Sequence, residues 1–116
     1  MIRRPGDYNI TIKEHMMGGE GRFVVENLLA AEELRGKGRL FARGSLAPGH
    51  TVGWHVHEND MEICYFLTGK GQVRDNDGVL YDVYPGDTNI VDVGCGHEII
   101  NTGSEDLSYL AVILYK

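Results

Sequence analysis

The chain has 116 residues, of which 42% are hydrophobic and 24% are charged, and its net charge is −6. This length fits one domain, and the composition is that of a folded globular protein. Because the acidic residues are spread along the chain and no basic cluster is present, nucleic acid and anionic membranes are disfavoured as partners. No apolar run is long enough to span a bilayer, and no apolar stretch follows Arg3 and Arg4 as in a signal peptide, so we expect a cytoplasmic protein.

Short strand-like runs separated by turns of glycine, asparagine and aspartate follow one another along the chain. One short helical segment is predicted over Leu28–Leu34, ended by Gly36 and Gly38. The predicted strands span residues 22–28, 39–46, 54–57, 61–68, 72–74, 79–83, 89–93, 98–101 and 107–115. Roughly eight to ten strands at this regular spacing are typical of an antiparallel sandwich or barrel, so the predicted fold class is all-β.

Four candidate metal ligands are spaced so that the strands bring them together. His55 and His57 are two residues apart, and residues two apart on a strand point to the same face. Glu62 follows after a predicted bend, which returns a carboxylate toward the pair. His97 comes just beyond the turn at residues 94–96. Imidazole suits Zn, Cu, Fe and Ni, and an added carboxylate extends the range toward Mn.

A histidine pair at this spacing is by itself weak evidence for a metal site, because isolated histidines at strand ends are most often ordinary polar residues. His15 and His50 are assigned to that ordinary class. The residues around the pair therefore decide whether the four candidates form a site.

The spacing around the candidate ligands resembles the two motifs of the cupin superfamily. The first motif is matched at each fixed position by Gly49, His55, His57, Glu62 and Gly69. The second motif is matched by Gly86, Gly94, His97 and Asn101, with Asp92 where the family usually has proline. This one departure falls on a turn or strand-end position and not on a ligand.

The resemblance implies a small antiparallel cupin barrel, that is, a jelly-roll-like double-stranded β-helix with at most one short helix. We expect residues 1–116 to form a single cupin domain. Within it, residues 39–116 form the core barrel, and residues 1–21 form an N-terminal arm that takes part in dimer contacts. Small cupins commonly form homodimers through sheet faces and the N-terminal strand, so a homodimer is expected.

The same resemblance implies that His55, His57, Glu62 and His97 are the ligands of one divalent metal ion per chain, either Mn, Fe, Ni or Zn. A vestigial site is the alternative, and the correct residue type at all four positions argues against it. Four ligands around Zn in a tetrahedron would close the shell and make the site structural. In octahedral geometry, Mn, Fe or Ni would keep two positions open for a small-molecule ligand.

Strand parity predicts the surroundings of Glu62. If Glu62 points into the barrel, Cys64 and Phe66 also point inward, because side chains alternate along a strand. The outward-pointing residues are then Ile63, Tyr65 and Leu67. This outward row and the apolar segment 107–115 are too hydrophobic for a free surface, which favours the expected homodimer.

Five nearby residues have alternative interpretations. Cys64 is a buried small hydrophobe, Cys95 near the predicted mouth is the more reactive thiol, and a disulfide between them is disfavoured. Arg43 either points into the barrel, where it would bind a carboxylate substrate, or points outward as a solvated charge. Trp54 and Met61 either wall a ligand pocket or pack against the rim.

An open metal shell polarises bound oxygen-rich molecules. The resemblance therefore implies a metal-dependent enzyme of the decarboxylase, isomerase or dioxygenase type, acting on a small carboxylate, sugar or similar polar metabolite, and the chain is similar to the small oxalate-decarboxylase-like cupins. The alternative is a non-catalytic module that binds or senses a metal or a small ligand. The sequence identifies no acid or base beyond the ligands, so catalytic residues remain unassigned.

Overall fold

The computed structural model describes all residues 1–116 as ten β-strands and two short 3-10 helices. The strands are β1 (Asn9–Glu14), β2 (Arg22–Leu29), β3 (Gly38–Leu46), β4 (Thr51–His57), β5 (Asp60–Thr68), β6 (Gly71–Arg74), β7 (Leu80–Val83), β8 (Thr88–Val91), β9 (Cys95–Ile100) and β10 (Leu107–Tyr115). The 3-10 helices are η1 (Met16–Gly18) and η2 (Ala31–Leu34). The all-β prediction is confirmed, and no helix is long and apolar enough to cross a membrane.

The strands form two antiparallel sheets. One sheet has six strands in the order β1-β2-β3-β10-β5-β8, and the other has four in the order β4-β9-β6-β7. Strands that are adjacent in sequence, such as β3 and β4 or β4 and β5, lie in different sheets. This alternation is that of a jelly roll, as expected from the motif spacing.

The N-terminal region differs from its predicted organisation in two respects. Strand β1 was not predicted, although Ile10 and Ile12 alternate with polar residues as in a strand, and all six of its residues are exposed. It pairs along its full length with β2, from Asn9 opposite Asn27 to Glu14 opposite Arg22. The predicted helical segment Leu28–Leu34 is only partly correct, because Leu28 and Leu29 continue β2 and only η2 is helical.

The hydrophobic core fills one end of the space between the sheets. Glu62, Cys64 and Phe66 all point inward from β5, as strand parity predicted, and the last two are fully buried. The Phe66 ring contacts that of Tyr109 from β10, which in turn stacks on Phe23 from β2. The barrel is therefore packed with side chains on the Phe66 side, whereas its polar residues lie toward Glu62.

Two β-bulges alter which residues face the interior. In β4, Val52 pairs with Ile99 and His55 pairs with His97, so that two residues of β4 oppose one residue of β9. Val52 and His55 therefore both face inward although they are three apart. In β3, Gly38 pairs with Leu114 and Leu40 with Ile113, which leaves Arg39 without an opposite residue on β10.

The outer face of the six-stranded sheet carries an apolar row. Phe41 of β3 lies opposite Val112 of β10, which lies opposite Ile63 of β5, which lies opposite Ile90 of β8. Ile90 is 61% exposed, and the other three are partly exposed. The predicted outward orientation of Ile63 and Tyr65 is therefore confirmed.

The packing of η1 over the bulge in β4 depends on the absence of a side chain at Gly53. A Cβ atom there would lie 2.2 Å from the backbone carbonyl oxygen of Met17, which packs over the strand. Gly53→Ala is expected to destabilise the fold by about 1–3 kcal/mol, because backbone must move to accept the methyl group. Urea unfolding measures this change, with Val56→Ala on the exposed side of the same strand as the control. Equal stability of the two variants would contradict this account of the bulge.

Candidate metal centre

The four predicted ligands come together from both sheets. His55 and His57 lie on β4, His97 lies directly opposite His55 on β9, and Glu62 reaches the same point from β5. One potential ligand atom from each of the four residues lies within 4.8 Å of the others. The His97 Nε2 atom is 2.9 Å from Glu62 Oε1 and 3.1 Å from His55 Nε2, and His57 Nε2 is 3.2 Å from Glu62 Oε1.

Each imidazole is held through its other nitrogen by an oxygen acceptor. His55 Nδ1 donates to the backbone carbonyl of Gly53 at 2.8 Å. His57 Nδ1 donates to the Asp60 carboxylate at 2.7 Å, and His97 Nδ1 donates to the Asn89 side-chain oxygen at 2.7 Å. A nitrogen that donates carries a ring proton, so in their neutral forms all three imidazoles present Nε2 lone pairs to the centre of the cluster.

The centre of the cluster therefore holds acceptors without a donor between them. Three Nε2 lone pairs face one another and the Glu62 carboxylate, and His57 Nε2 is buried without a hydrogen-bond partner. Such an arrangement is costly in a buried site unless a cation lies among the acceptors. Three neutral imidazoles and one carboxylate, each oriented by a further hydrogen bond, are a donor set that fits a divalent transition metal.

Electrostatics in the cluster favour the charge states that a metal requires at Glu62 and His55, but not at His57. Burial alone would raise the pKa of Glu62, but contacts with His57 and His97 lower it to about 2, so the carboxylate is ionised. Burial lowers the pKa of His55, which favours its neutral form. The Glu62 carboxylate raises the pKa of His57, so a proton on His57 competes with a metal for the same site.

Two supporting residues were not identified from the sequence. Asp60 is buried and bridges His57 Nδ1 and Arg39 Nε. Asn89 is buried, and its side-chain oxygen accepts from His97. Each follows from strand pairing: Asp60 begins the strand that carries Glu62, and Asn89 lies opposite Cys64 on β8. A sequence without known pairings gives no signal that separates these two from ordinary turn residues.

The cluster opens into a cavity of about 280 Å³ between the sheets. Apolar side chains such as Phe23, Leu40 and Ile113 form its walls, together with the ring of Tyr109. Strands β1 to β3 contribute its polar lining, namely Thr11, Lys13, Asn27 and Arg39. The barrel is therefore not filled next to the cluster, and the predicted N-terminal arm forms part of the cavity wall.

The remaining sequence candidates do not line this cavity. Arg43 is exposed on the outer face of β3, so it is a solvated charge and not a ligand-binding residue. Trp54 is exposed and covers Gly96, and Met61 is partly buried outside the cavity, so both pack at the rim. Cys95 is partly buried opposite His57, and neither it nor Cys64 is in a disulfide.

The two histidines set aside as ordinary lie outside the cluster. His15 Nδ1 is 3.1 Å from the carbonyl oxygen of Gly19, and His50 Nδ1 accepts from the backbone amide of Arg22 at 3.1 Å. Both side chains therefore support the backbone near the N-terminal region, and neither belongs to the candidate metal cluster.

Comparison with known proteins agrees with the motif spacing and the barrel. The sequence pattern of the family described as Cupin domain matches residues 42–113, which is more than half of the chain. This chain belongs to the cupin family. It is also similar to the oxalate-binding protein of Thermotoga maritima, with 45% identity over 114 residues that cover 98% of this chain and 93% of that protein.

Solved structures share the same fold. A predicted oxalate decarboxylase from Thermotoga maritima superposes with a TM-score of 0.94 and 40% identity, over 100% of both chains. The polyketide cyclase RemF of Streptomyces resistomycificus superposes with a TM-score of 0.79 over 100% of this chain and 81% of that one. At 20% identity, the second comparison concerns the cupin fold alone.

His57→Ala is expected to abolish stoichiometric metal binding, because it removes one of four ligands and leaves Asp60 without its buried partner. Plasma mass spectrometry on the purified, untagged protein after reconstitution measures metal per chain. His15→Asn is the control, because it removes an imidazole outside the cluster and asparagine tolerates the left-handed backbone at this position. Full metal occupancy in His57→Ala would refute the ligand assignment.

Proposed function

We propose that this chain binds one divalent metal ion through His55, His57, Glu62 and His97, and binds a small carboxylate on that ion. Oxalate is the leading candidate. The observation that carries the proposal is the charge distribution of the cavity next to the cluster. Glu62 is the only carboxylate that lines the cavity, and the lysine and arginine that line it are Lys13 and Arg39.

The cavity favours an anion although the protein as a whole is acidic. A divalent ion would outweigh the single charge of Glu62, and Lys13 adds a positive charge to the lining, whereas Asp60 already balances the charge of Arg39 in part. A small anion would therefore find a positive site within a chain of net charge −6. Neutral sugars would gain less from this arrangement, because they carry no charge to pair with the metal or the lysine.

A larger cavity, lined by β6, β7 and β8, provides a contrast within the same molecule. It has a volume of about 480 Å³, and its lining includes Asp75, Asp82 and Asp87 but no lysine or arginine. An anion would be repelled there, so the carboxylate site is assigned to the cavity that contains the cluster. The names of two relatives agree with this choice, since one is called an oxalate-binding protein and the other a predicted oxalate decarboxylase.

The residues of the chain would have distinct roles toward such a ligand. A bound ion of octahedral preference would supply open positions and Lewis acidity to the carboxylate oxygens. Lys13 and Arg39 would orient the anion from the cavity lining. The apolar walls at Phe23, Leu40 and Ile113 would exclude water, which strengthens each of these charge interactions.

Decarboxylation of the bound acid is the second candidate, and Tyr109 is the observation that favours it. Its ring is 2% exposed and lines the cavity. Burial raises the pKa of Tyr109 above its ordinary value, so the hydroxyl keeps its proton. In oxalate decarboxylation the carbon–carbon bond breaks, carbon dioxide leaves, and the remaining carbon takes a proton to give formate. Tyr109 would supply that proton and regain one from solvent.

Homodimerisation stays a prediction. The apolar row from Phe41 to Ile90 on the six-stranded sheet is the surface that supports it, because rows of this kind are usually covered in soluble proteins. Single-domain organisation and cytoplasmic location also stay predictions.

Oxalate is expected to bind the manganese-loaded protein and to lose at least about 100-fold in affinity when the metal is removed, because metal–oxygen contacts supply several kcal/mol. Isothermal titration calorimetry measures both affinities. Oxamide, the neutral analogue of similar shape, is the control ligand and is expected to bind more weakly. Equal affinity for oxalate with and without metal would refute the proposal.

A formate assay on the same samples separates the two candidates. Formate formed from oxalate by the manganese-loaded protein, and reduced by Tyr109→Phe, would establish the decarboxylase. Tight binding of oxalate without formate would establish a binding protein.

A further inference from the structure

Arg39 occupies an unusual position on its strand. Strand parity alone would place it on the outer face of β3 together with Arg43, because the two are four residues apart. The bulge opposite Ile113 and Leu114 leaves Arg39 unpaired with β10, and its side chain lines the cavity. Bulges commonly redirect a side chain beside a functional site.

The preceding residue, Gly38, makes this bulge possible. A Cβ atom at position 38 would lie 2.3 Å from the carbonyl oxygen of Ile113, so only glycine fits the close approach of β3 and β10. The backbone of the bulge therefore directs the Arg39 side chain toward the cavity, and this orientation does not depend on the choice of side-chain rotamer alone.

One part of the Arg39 guanidinium is already committed to the metal cluster. Arg39 Nε donates to Asp60 Oδ2 at 2.7 Å, and Asp60 Oδ1 accepts from His57 Nδ1 at 2.7 Å. The Asp60 side chain is only 9% exposed. A continuous chain of hydrogen bonds thus runs from Arg39 through Asp60 to His57, whose Nε2 faces the centre of the cluster.

The two terminal nitrogens of the Arg39 guanidinium are available to a second partner. The Arg39 side chain is 48% exposed, and its two terminal nitrogens are not used by the bond to Asp60. Guanidinium has donors on more than one edge, so it can hold Asp60 with Nε and a second carboxylate with its terminal nitrogens. Lysine, with a single ammonium group, cannot reproduce this planar arrangement.

We propose that Arg39 couples the cavity ligand to the metal: its terminal nitrogens bind the carboxylate of the ligand, while its Nε holds Asp60 and thereby orients His57. The inference rests on the proposed function for the identity of the ligand. Arg39 is then a specificity-determining residue for the anion and a positioning residue for the metal ligand. Because coupling between two sites is reciprocal, an anion on Arg39 also favours the oriented form of His57.

The test uses the full-length chain with Arg39→Gln, Arg39→Lys and, as the matched control, Arg43→Gln. Arg43 lies on the same strand and is exposed, so its loss changes the net charge equally without affecting the cavity. Three quantities are measured by calorimetry: the affinity of Mn²⁺ without any carboxylate, and the affinities of the Mn²⁺-saturated protein for oxalate and for azide. Thermal melting establishes that each variant is folded.

Arg39→Gln is expected to weaken Mn²⁺ binding by about 3- to 10-fold, less than the 10- to 100-fold typical of residues that bond a ligand directly. Oxalate affinity should fall at least about 10-fold, because a charge-assisted bidentate contact is lost. Azide binds a metal through one atom and offers no carboxylate, so its affinity should change much less. Arg39→Lys should restore oxalate affinity only in part.

Several outcomes would overturn the inference. One is an oxalate affinity that is equal in Arg39→Gln and Arg43→Gln. Another is an equal loss of affinity for oxalate and azide in Arg39→Gln, because this would indicate a merely structural role for Arg39. If the wild-type protein binds Mn²⁺ but not oxalate, the proposed function fails. The Mn²⁺ affinities then decide the remaining claim, and equal values in the two glutamine variants would overturn the positioning of His57 as well.

Discussion

The candidate metal centre depends on the hydrogen bonds that the three imidazoles make away from it. Because each Nδ1 donates to a fixed oxygen, each Nε2 lone pair is directed at the same point, where the Glu62 carboxylate also lies. Unlike the rings of freely rotating histidines, these three are each held by a hydrogen bond to a fixed oxygen of the fold. Such bonds orient the ligands and reduce the ordering that metal binding requires.

The jelly roll supplies the acceptors from different parts of the chain. His55 donates to the backbone carbonyl oxygen of Gly53, which lies in the bulge of the same strand. The acceptor for His57 is Asp60, at the start of β5, and the acceptor for His97 is Asn89, on β8. The same packing separates a polar end from an apolar end of one barrel, since Phe66 fills the space beyond Glu62. The bulge in β4 thus helps to place the candidate metal ligands at one end of a core that is otherwise packed with apolar side chains.

Much of this could be predicted from the sequence. Glycine-bounded strands gave the all-β class, and the two-residue period placed His55 and His57 on one face and Cys64 inward. The role of Arg39 could not be predicted by counting, because Arg39 and Arg43 belong to one face by parity, but only Arg39 lines the cavity. A bulge depends on the partner strand, so it cannot be read from the local sequence alone. Strand β1 was missed although Ile10 and Ile12 alternate with polar residues, because the rest of the N-terminal region offers no further strand signal.

The central claim is that the three imidazoles bind a metal through Nε2 while Nδ1 keeps its proton. Long-range proton–nitrogen NMR correlation of the ¹⁵N-labelled protein, metal-free and loaded with diamagnetic Zn²⁺, tests it most directly. The account predicts large shifts at Nε2 of His55, His57 and His97 on loading, with Nδ1 protonated in all three, and no change at His15 or His50. Coordination through Nδ1, or a spectrum in which any of the three imidazoles is unaffected by Zn²⁺, would contradict it.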